Sequence, residues 1–240
     1  MPLNPIGHIK ALCAILLNVI VPGAGFVAAG HLRWAISVQA LLGSSIILMC
    51  WTRWILTPAG CKALLALIGL IFLLNTLGLI VKIFKTKHPW TLKNTLLASL
   101  FSVACLGALL VGFKTKDQWL GVHIYFVPSA SMEPTLKPGQ FILLDTWAYY
   151  DKTPSLDDVV VFEHGIKKTH LVKRINHWPK GELTQKGLWY VIGDNRNLSQ
   201  DSRYFGGIAI EQVIGEVKLV LVAFDHKQPL KVDILLTSVH

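Results

Sequence analysis

The stretch FVPSASMEPTLKPGQFILL, from Phe126 to Leu144, decides how we interpret this chain. Three prolines lie within eleven residues of this stretch: Pro128, Pro134 and Pro138. Proline fixes its own φ and has no backbone N–H, so this spacing predicts a stiff, non-helical segment. Two serines and a methionine lie between the first two prolines, directly after a long apolar region. The stretch is either an ordinary loop that enters a β-strand or a segment that holds a serine in position.

Charge is distributed unevenly along the 240-residue chain, whose formal net charge is +9. Residues 1–113 contain no Asp or Glu, whereas residues 114–240 contain all 14 acidic residues. The first half carries eight basic residues, Lys10, Arg33, Arg53, Lys62, Lys82, Lys85, Lys87 and Lys93. These residues interrupt apolar runs, which is typical of a membrane protein. A nucleic-acid-binding protein would present a clustered basic face, so we expect no nucleic-acid partner.

Four apolar segments fill the first half: Ala11–Gly30, Trp34–Trp51, Ala63–Val81 and Asn94–Phe113. A helix needs roughly 20 apolar residues to cross a bilayer core of ~30 Å, and the last two segments match that length well. Pro22, Gly23 and Gly25 interrupt the first segment, which therefore spans the membrane, re-enters it, or is a cleaved signal peptide. We predict that residues 1–113 form a membrane region with three or four apolar helical segments.

The loop Lys82–Lys93 determines the predicted orientation, because it carries four lysines and no acidic residue. Loops rich in lysine stay in the cytoplasm, so the final helix runs outward. Residues 114–240 then face the periplasm or the cell exterior, and the chain is a multi-pass protein of the cytoplasmic membrane.

The outer half contains short runs rich in β-forming residues, at 140–145, 158–164, 169–175, 188–194 and 213–224. Turn-forming residues separate these runs, and no long amphipathic helix is evident. We predict that residues 114–240 form a mainly antiparallel, partly closed β domain.

Lys173 is a candidate for chemistry, because it occurs in the run THLVKRI. Side chains alternate along a strand, so Lys173 shares a face with Leu171 and Ile175, which favours an inward direction. Burial lowers the pKa of a lysine, and a neutral amine can activate a serine hydroxyl. The alternative is that the ammonium extends along the surface to solvent.

A third stretch, GDNRNLSQDSRYFG from Gly193 to Gly206, follows a predicted strand. Its turn formers are consistent with a structural loop, and it also supplies hydroxyls that could orient a buried lysine.

Among other candidates, His164, His170 and His177 could belong to a Ser-His-Asp triad, although each is more simply a surface or strand histidine. No H-E-x-x-H motif indicates a metal site.

Together, PSASMEPTL, LVKRI and GDNRNLSQDSRYFG resemble the three motifs of bacterial type I signal peptidases, which are membrane-bound Ser/Lys proteases. The resemblance covers roughly residues 124–222, and the order and spacing of the motifs agree. Matched position by position, it implies that Ser131 is the nucleophile and Lys173 its general base. It further implies that Ser129 contributes to the oxyanion hole and that Ser199 orients the lysine. The charged positions that it assigns to structural support are Asp194, Asp201, Arg174 and Arg203.

The resemblance implies removal of signal peptides from exported preproteins that have small residues before the cut. It implies a location in the bacterial inner membrane with the catalytic domain on the periplasmic or outer side. The partners are then preproteins and the lipid bilayer, with the protein-export machinery as a further candidate, and no cofactor or metal is required. Two positions depart from the family pattern: Asn197 replaces a frequent acidic residue, and NHWPKGE replaces a glycine-rich turn.

Three other interpretations remain open. The altered turn and the additional apolar segments would suit a dedicated processing peptidase of a conjugation or secretion system. A non-catalytic, membrane-anchored β domain used for binding is a second alternative. A transporter with a sensor domain is a third, but intramembrane acidic residues would be expected of a coupled ion pathway and residues 1–113 contain none.

Overall fold

A computed structural model describes residues 5–85, 91–165, 168–179, 181, 183–225 and 228–239. Residues 86–90, within the loop predicted to be cytoplasmic, lie outside the described residues, as do Lys180 and Glu182 of the altered turn. The chain forms two compact units. The first unit contains residues 1–52 and 62–115, and the second contains residues 53–61 and 116–240. The predicted assignment of residues 1–113 and 114–240 to membrane and exterior stays a prediction.

The first unit is helical. The helices that contribute to it are α1 (Pro5–Ile20), α2 (Ala24–Ala28), α3 (Leu32–Trp51), α4 (Pro58–Lys85) and α5 (Leu92–Trp119). The first residues of α4 and the last residues of α5 belong to the second unit. Three helical stretches of the described residues are long and apolar enough to cross a membrane, namely Leu32–Trp51, Pro58–Ile83 and Leu92–Trp119. The last three predicted apolar segments are therefore confirmed as helices of membrane-spanning length. The first is shorter, because its apolar helical part runs only from Ala11 to Ile20.

The interruption of the first segment has a physical cause. Asn18 Oδ1 accepts a hydrogen bond from the Gly23 backbone N–H at 2.8 Å, which stabilises the turn after α1. Gln39 Nε2 donates to the Pro22 carbonyl at 2.8 Å, so a second side chain satisfies the same turn. A Cβ on Gly25 would lie 2.5 Å from the Ala14 carbonyl oxygen, so only glycine permits this close approach. Proline, glycine and the side-chain amides of Asn18 and Gln39 thus end the helix before it reaches membrane-spanning length.

The second unit is built on an antiparallel sheet. Its strands are β1 (Val122–Phe126), β2 (Gln140–Asp145), β3 (Val159–His164), β4 (Thr169–Asn176), β5 (Thr184–Gln185), β6 (Leu188–Ile192), β7 (Val213–Asp225) and β8 (Gln228–Ser238). A short helix, α6 (Ser202–Phe205), follows β6. All five predicted strands are present, and β1, β5 and β8 are additional.

The sheet order is β1-β2-β7-β3-β4-β6-β5, and β8 also pairs with β7. No pairing among the described strands joins the two ends of this order, so the sheet is open rather than partly closed as predicted.

One apolar cluster contains Met132 and Leu144, and a second contains Phe162, Ile175 and Val191. The first cluster anchors the loop that carries Ser131, and the second includes Ile175, two residues beyond Lys173 on β4.

Arg53, in the connection between α3 and α4, is bound into the second unit. Its guanidinium forms an ion pair with Asp145 and donates to the carbonyl oxygens of Leu120 at 3.3 Å and Gly121 at 3.1 Å. It also lies 5.2 Å from the ring centroid of Trp147. One side chain therefore joins the residues that precede β1 to the end of β2.

We expect the substitution Arg53→Ala to lower the free energy of unfolding of the second unit by about 1–3 kcal/mol, because it leaves the largely buried Asp145 carboxylate without its cation. The measurement is thermal unfolding of the detergent-solubilised chain. Arg33→Ala, which removes an exposed arginine of α3, is the matched control. Equal melting temperatures for the two variants would contradict this role of Arg53.

Candidate active site

The loop between β1 and β2 presents Ser131. The Val127 backbone N–H donates to the Gln140 carbonyl at 2.8 Å, and the Gly139 N–H donates back to the Val127 carbonyl at 2.9 Å, which closes the base of the loop. Within the loop, the Leu136 N–H donates to the Met132 carbonyl at 2.9 Å. Met132 and Leu136 are 1% and 0% exposed, so apolar burial anchors the loop on both sides of this turn. Ser131 therefore stands next to a buried anchor, at the end of the sheet where β1 finishes.

Ser131 and Lys173 are in direct contact. Lys173 Nζ donates a hydrogen bond to Ser131 Oγ at 2.9 Å and another to the Val172 carbonyl at 2.9 Å. Ser129 Oγ lies 3.3 Å from Ser131 Oγ. The structure thus brings together three predicted site residues that come from two separate segments of the sequence.

Lys173 is buried, with 3% of its surface exposed, which agrees with the inward direction predicted from strand alternation. Burial lowers the pKa of Lys173, because the ammonium loses its hydration. The carboxylates of Asp201 and Asp194 act in the opposite direction and raise this pKa, but burial outweighs them. A lysine with a lowered pKa, hydrogen-bonded to a serine hydroxyl, is an arrangement in which the amine can remove the hydroxyl proton.

Gly193 brings the third stretch of the sequence against the serine loop. A Cβ on Gly193 would lie 2.6 Å from the Ser131 carbonyl oxygen and 2.1 Å from Ser199 Oγ, so there is no space for a side chain. The Asn195 backbone N–H donates to the same Ser131 carbonyl at 3.1 Å. The position of Ser131 therefore depends on a glycine and a backbone hydrogen bond that the resemblance does not single out.

Ser199 is buried beside these groups, with 4% of its surface exposed. Its Oγ makes no hydrogen bond of ordinary geometry with a described residue. The hydroxyl is close enough to Asp201 to help to keep the pKa of that carboxyl low. A hydrogen bond to Lys173 is not present among the described residues, so the orienting role of Ser199 stays a prediction.

Arg174 and Asp194 form a paired contact next to Lys173. Arg174 donates through Nε to Asp194 Oδ1 and through Nη2 to Asp194 Oδ2, each at 2.9 Å. Thr135 Oγ1 donates to Asp194 Oδ2 at 2.5 Å, and Arg174 Nη1 donates to the Asp157 carbonyl at 2.8 Å. Burial alone would raise the pKa of Asp194, but the bonds from Arg174 and Thr135 hold it below its usual value. Thr135 was missed by sequence reasoning, although its place in the motif SMEPT was a usable signal.

Asp201 and Arg203 form a second paired contact. Asp201 is fully buried and accepts from Arg203 Nε at 2.7 Å, from Arg203 Nη2 at 2.9 Å and from the Gly193 N–H at 3.0 Å. Burial opposes ionisation, yet these hydrogen bonds lower the pKa of Asp201 to about 2. Arg203 Nη2 also donates to the Arg196 carbonyl at 2.8 Å, so the pair ties the loop together.

The three histidines considered as triad members make other contacts. His170 Nε2 lies 3.7 Å from Glu163 Oε1, and the His164 ring lies 4.1 Å from the Phe205 ring. The His177 backbone N–H donates to Asn176 Oδ1 at 2.8 Å. In the described part of the chain, no hydrogen bond joins any of these rings to Ser131, and no group of three His, Cys, Asp or Glu side chains is arranged to hold a metal ion.

Comparisons with known proteins find relatives for the part of the chain that contains this site. The family described as signal peptidase, peptidase S26, matches residues 95–179 and 176–222. Signal peptidase IB of Staphylococcus aureus is 28% identical, over 39% of this chain and 74% of that protein. Thylakoidal processing peptidase 1, chloroplastic, of Arabidopsis thaliana is 28% identical, over 37% of this chain and 38% of that protein. The chain thus spans well under half of the length of the Arabidopsis relative.

We expect Asp201→Asn to reduce stability at neutral pH by roughly 2 kcal/mol, because a carboxyl with a pKa of about 2 loses that much ionisation-linked stability. The sign follows from the lowered pKa. The wild-type contribution is complete above the unfolded-state pKa near 4 and is lost as the pH falls towards 2. Denaturant unfolding at pH 7 and pH 3 tests this, with the exposed Asp151→Asn as the control. If the deficit of Asp201→Asn were as large at pH 3 as at pH 7, the linkage would be wrong.

Proposed function

Because the chain belongs to the signal peptidase family, peptidase S26, whose match covers more than half of its 240 residues, we propose that it is a membrane-bound serine endopeptidase that removes signal peptides from exported preproteins. The observation that carries this proposal is the 2.9 Å contact between Lys173 Nζ and Ser131 Oγ. It joins a nucleophile to a base whose pKa is lowered by burial, which is the combination that acyl transfer requires.

The proposed reaction has two halves. Lys173 takes the proton of Ser131, and Ser131 Oγ attacks the carbonyl carbon of the scissile peptide bond. When the tetrahedral intermediate collapses, Lys173 returns the proton to the leaving amine and an ester joins Ser131 to the signal peptide. Water then attacks this ester with Lys173 again as the base, which releases the signal peptide and restores the hydroxyl.

We assign the stabilisation of the developing oxyanion to the Ser129 hydroxyl and the Ser131 backbone N–H. The support for this assignment is the position of Ser129 Oγ, which lies 3.3 Å from the nucleophile. In comparable sites, removal of one such donor raises the barrier by about 3–4 kcal/mol. Ser199 is proposed to orient Lys173 when substrate enters, and the two Asp–Arg pairs hold the surrounding loops.

The proposed location is the bacterial inner membrane, with the β domain on the outer side. Three helices of membrane-spanning length support membrane insertion, and the last of them ends at Trp119, three residues before β1 begins. The site is thereby close in sequence to the predicted bilayer surface, where signal peptides emerge. The proposed substrates are preproteins with small residues, typically alanine, before the cut.

We expect the detergent-solubilised chain to cleave a model preprotein at an Ala-X-Ala site in the presence of EDTA. Ser131→Ala should abolish the reaction because it removes the attacking oxygen. Lys173→Met should lower kcat/KM by at least about 10³-fold, because it removes the base while keeping the volume of the side chain. Product is measured by mass spectrometry, which also identifies the cut bond.

The control is Lys168→Met, which removes an exposed lysine on the approach to the same strand. Equal cleavage by wild type, Ser131→Ala and Lys173→Met would mean that Ser131 and Lys173 are not the catalytic pair. Failure of folded wild type on a panel of preproteins would favour a dedicated processing enzyme or a binding domain instead.

We expect kcat/KM to rise with pH through a single ionisation below the ordinary lysine value of 10.5, because only neutral Lys173 can accept the serine proton. Asp194→Asn should move this rise to lower pH, since it removes a carboxylate that raises the pKa of Lys173. The pH dependence of cleavage is measured for both proteins, with Asp151→Asn as the charge-matched control. An unchanged profile, or a shift to higher pH, would contradict the assignment of the base.

A further inference from the structure

Helices α3 and α4 of the first unit line an open cavity of about 220 Å³ that lies outside the part of the chain matched by the family. The residues that line it are Phe26, Trp34, Val38, Leu41, Ile71, Leu74, Asn75, Gly78 and Lys82. On each of the two helices the lining positions recur every three or four residues, so each helix contributes one continuous face. The wall is almost wholly apolar, apart from one amide and one ammonium.

The amide belongs to Asn75, which is 5% exposed. Neither its Nδ2 nor its Oδ1 has a hydrogen-bond partner among the described residues. A buried amide without partners is costly, above all where the surroundings are apolar. Asn18 differs in its oxygen: Oδ1 accepts the Gly23 N–H at 2.8 Å and so supports the local turn, while Nδ2 likewise has no partner among the described residues. Neither polar atom of Asn75 has such a partner among the described residues, which indicates that the amide is available to bind a ligand.

The ammonium belongs to Lys82, seven residues after Asn75 on the same face of α4. Seven residues correspond to about 10 Å along a helix, and helical side chains point back towards the N-terminus. Lys82 Nζ lies 5.4 Å from the ring centroid of Trp34, so one end of the cavity combines a cation with an aromatic ring. Tryptophan and basic residues are typical of the membrane–water interface.

We propose that this cavity binds an acyl chain of an anionic phospholipid, with the lipid phosphate held by Lys82 and a lipid ester carbonyl accepting a hydrogen bond from Asn75 Nδ2. The headgroup supplies the negative charge that residues 1–113 do not contain. The predicted orientation places Lys82 on the cytoplasmic side, where basic pockets between membrane helices bind anionic headgroups.

The test uses the full chain, purified in detergent and delipidated, with phosphatidylglycerol or phosphatidylcholine of identical acyl chains added back. Phosphatidylglycerol should raise the melting temperature by several degrees, and native mass spectrometry should show one retained lipid. Gly78→Leu should abolish both effects by filling the cavity, since a Cβ there meets only Phe26, at 3.6 Å. Gly69→Leu is the matched control on the same helix, because nothing lies within 4 Å of a Cβ at that position.

Two further substitutions separate the headgroup from the acyl chain. Lys82→Gln should remove the preference for phosphatidylglycerol over phosphatidylcholine, whereas Lys62→Gln, near the other end of α4, should preserve it. Asn75→Leu should weaken retention of both lipids about fivefold, the value of one hydrogen bond. The proposal is overturned if Gly78→Leu and Gly69→Leu retain lipid equally, if both lipids stabilise wild type equally, or if a photo-crosslinker at position 78 captures an added signal peptide and no lipid. None of these readouts depends on peptide cleavage.

Discussion

The proposed chemistry depends on keeping the Lys173 amine buried beside Ser131 Oγ although two carboxylates lie near it. Asp194 and Asp201 both favour the charged ammonium, and burial disfavours it, with burial the larger effect. Burial can dominate because each carboxylate is already bound by an arginine, Arg174 or Arg203, which offsets its charge at the lysine. The two pairs thus allow the site to contain acidic residues, which fix the loops, without restoring the pKa of Lys173 to its ordinary value.

Gly193 lies where Asp201, the Ser131 carbonyl and the Ser199 hydroxyl come together. Its N–H donates to Asp201 at 3.0 Å, so the arginine-bound carboxylate also sets the path of the chain after β6. Its lack of a side chain admits both the Ser131 carbonyl and the Ser199 side chain. A larger residue would have to displace the loop that carries Ser131 or the Ser199 hydroxyl. The contact of the Gly193–Gly206 stretch with the Phe126–Leu144 stretch therefore holds Ser131 in position.

Much of this arrangement follows from local sequence. Alternation along THLVKRI predicts the inward direction of Lys173, and the β-rich runs predict five strands, because both signals depend on near neighbours. The strand β8, by contrast, was missed, and the openness of the sheet could not be predicted from runs of residues that do not specify their partners. The contacts of Gly193 with Ser131 and of Arg53 with Gly121 join residues more than 60 positions apart. Such contacts result from tertiary packing and have no local pattern. The interruption of the first apolar segment was predictable from Pro22 and Gly23, but the stabilising amides of Asn18 and Gln39 were not.

Arg53 links the connection between α3 and α4 to the structure of the β domain. Val122 pairs with Asp145 where β1 begins and β2 ends, and the Thr146 N–H donates to the Gly121 carbonyl at 3.0 Å. Arg53 binds both sides of this junction, through Asp145 and through the carbonyl of Gly121. The two strands leave the junction together, and the loop that carries Ser131 connects their far ends. A side chain supplied by the α3–α4 connection therefore holds the base of the hairpin whose tip presents the proposed nucleophile. The α3–α4 connection is thus part of the framework that supports the site, although it lies outside the residues that the family match covers.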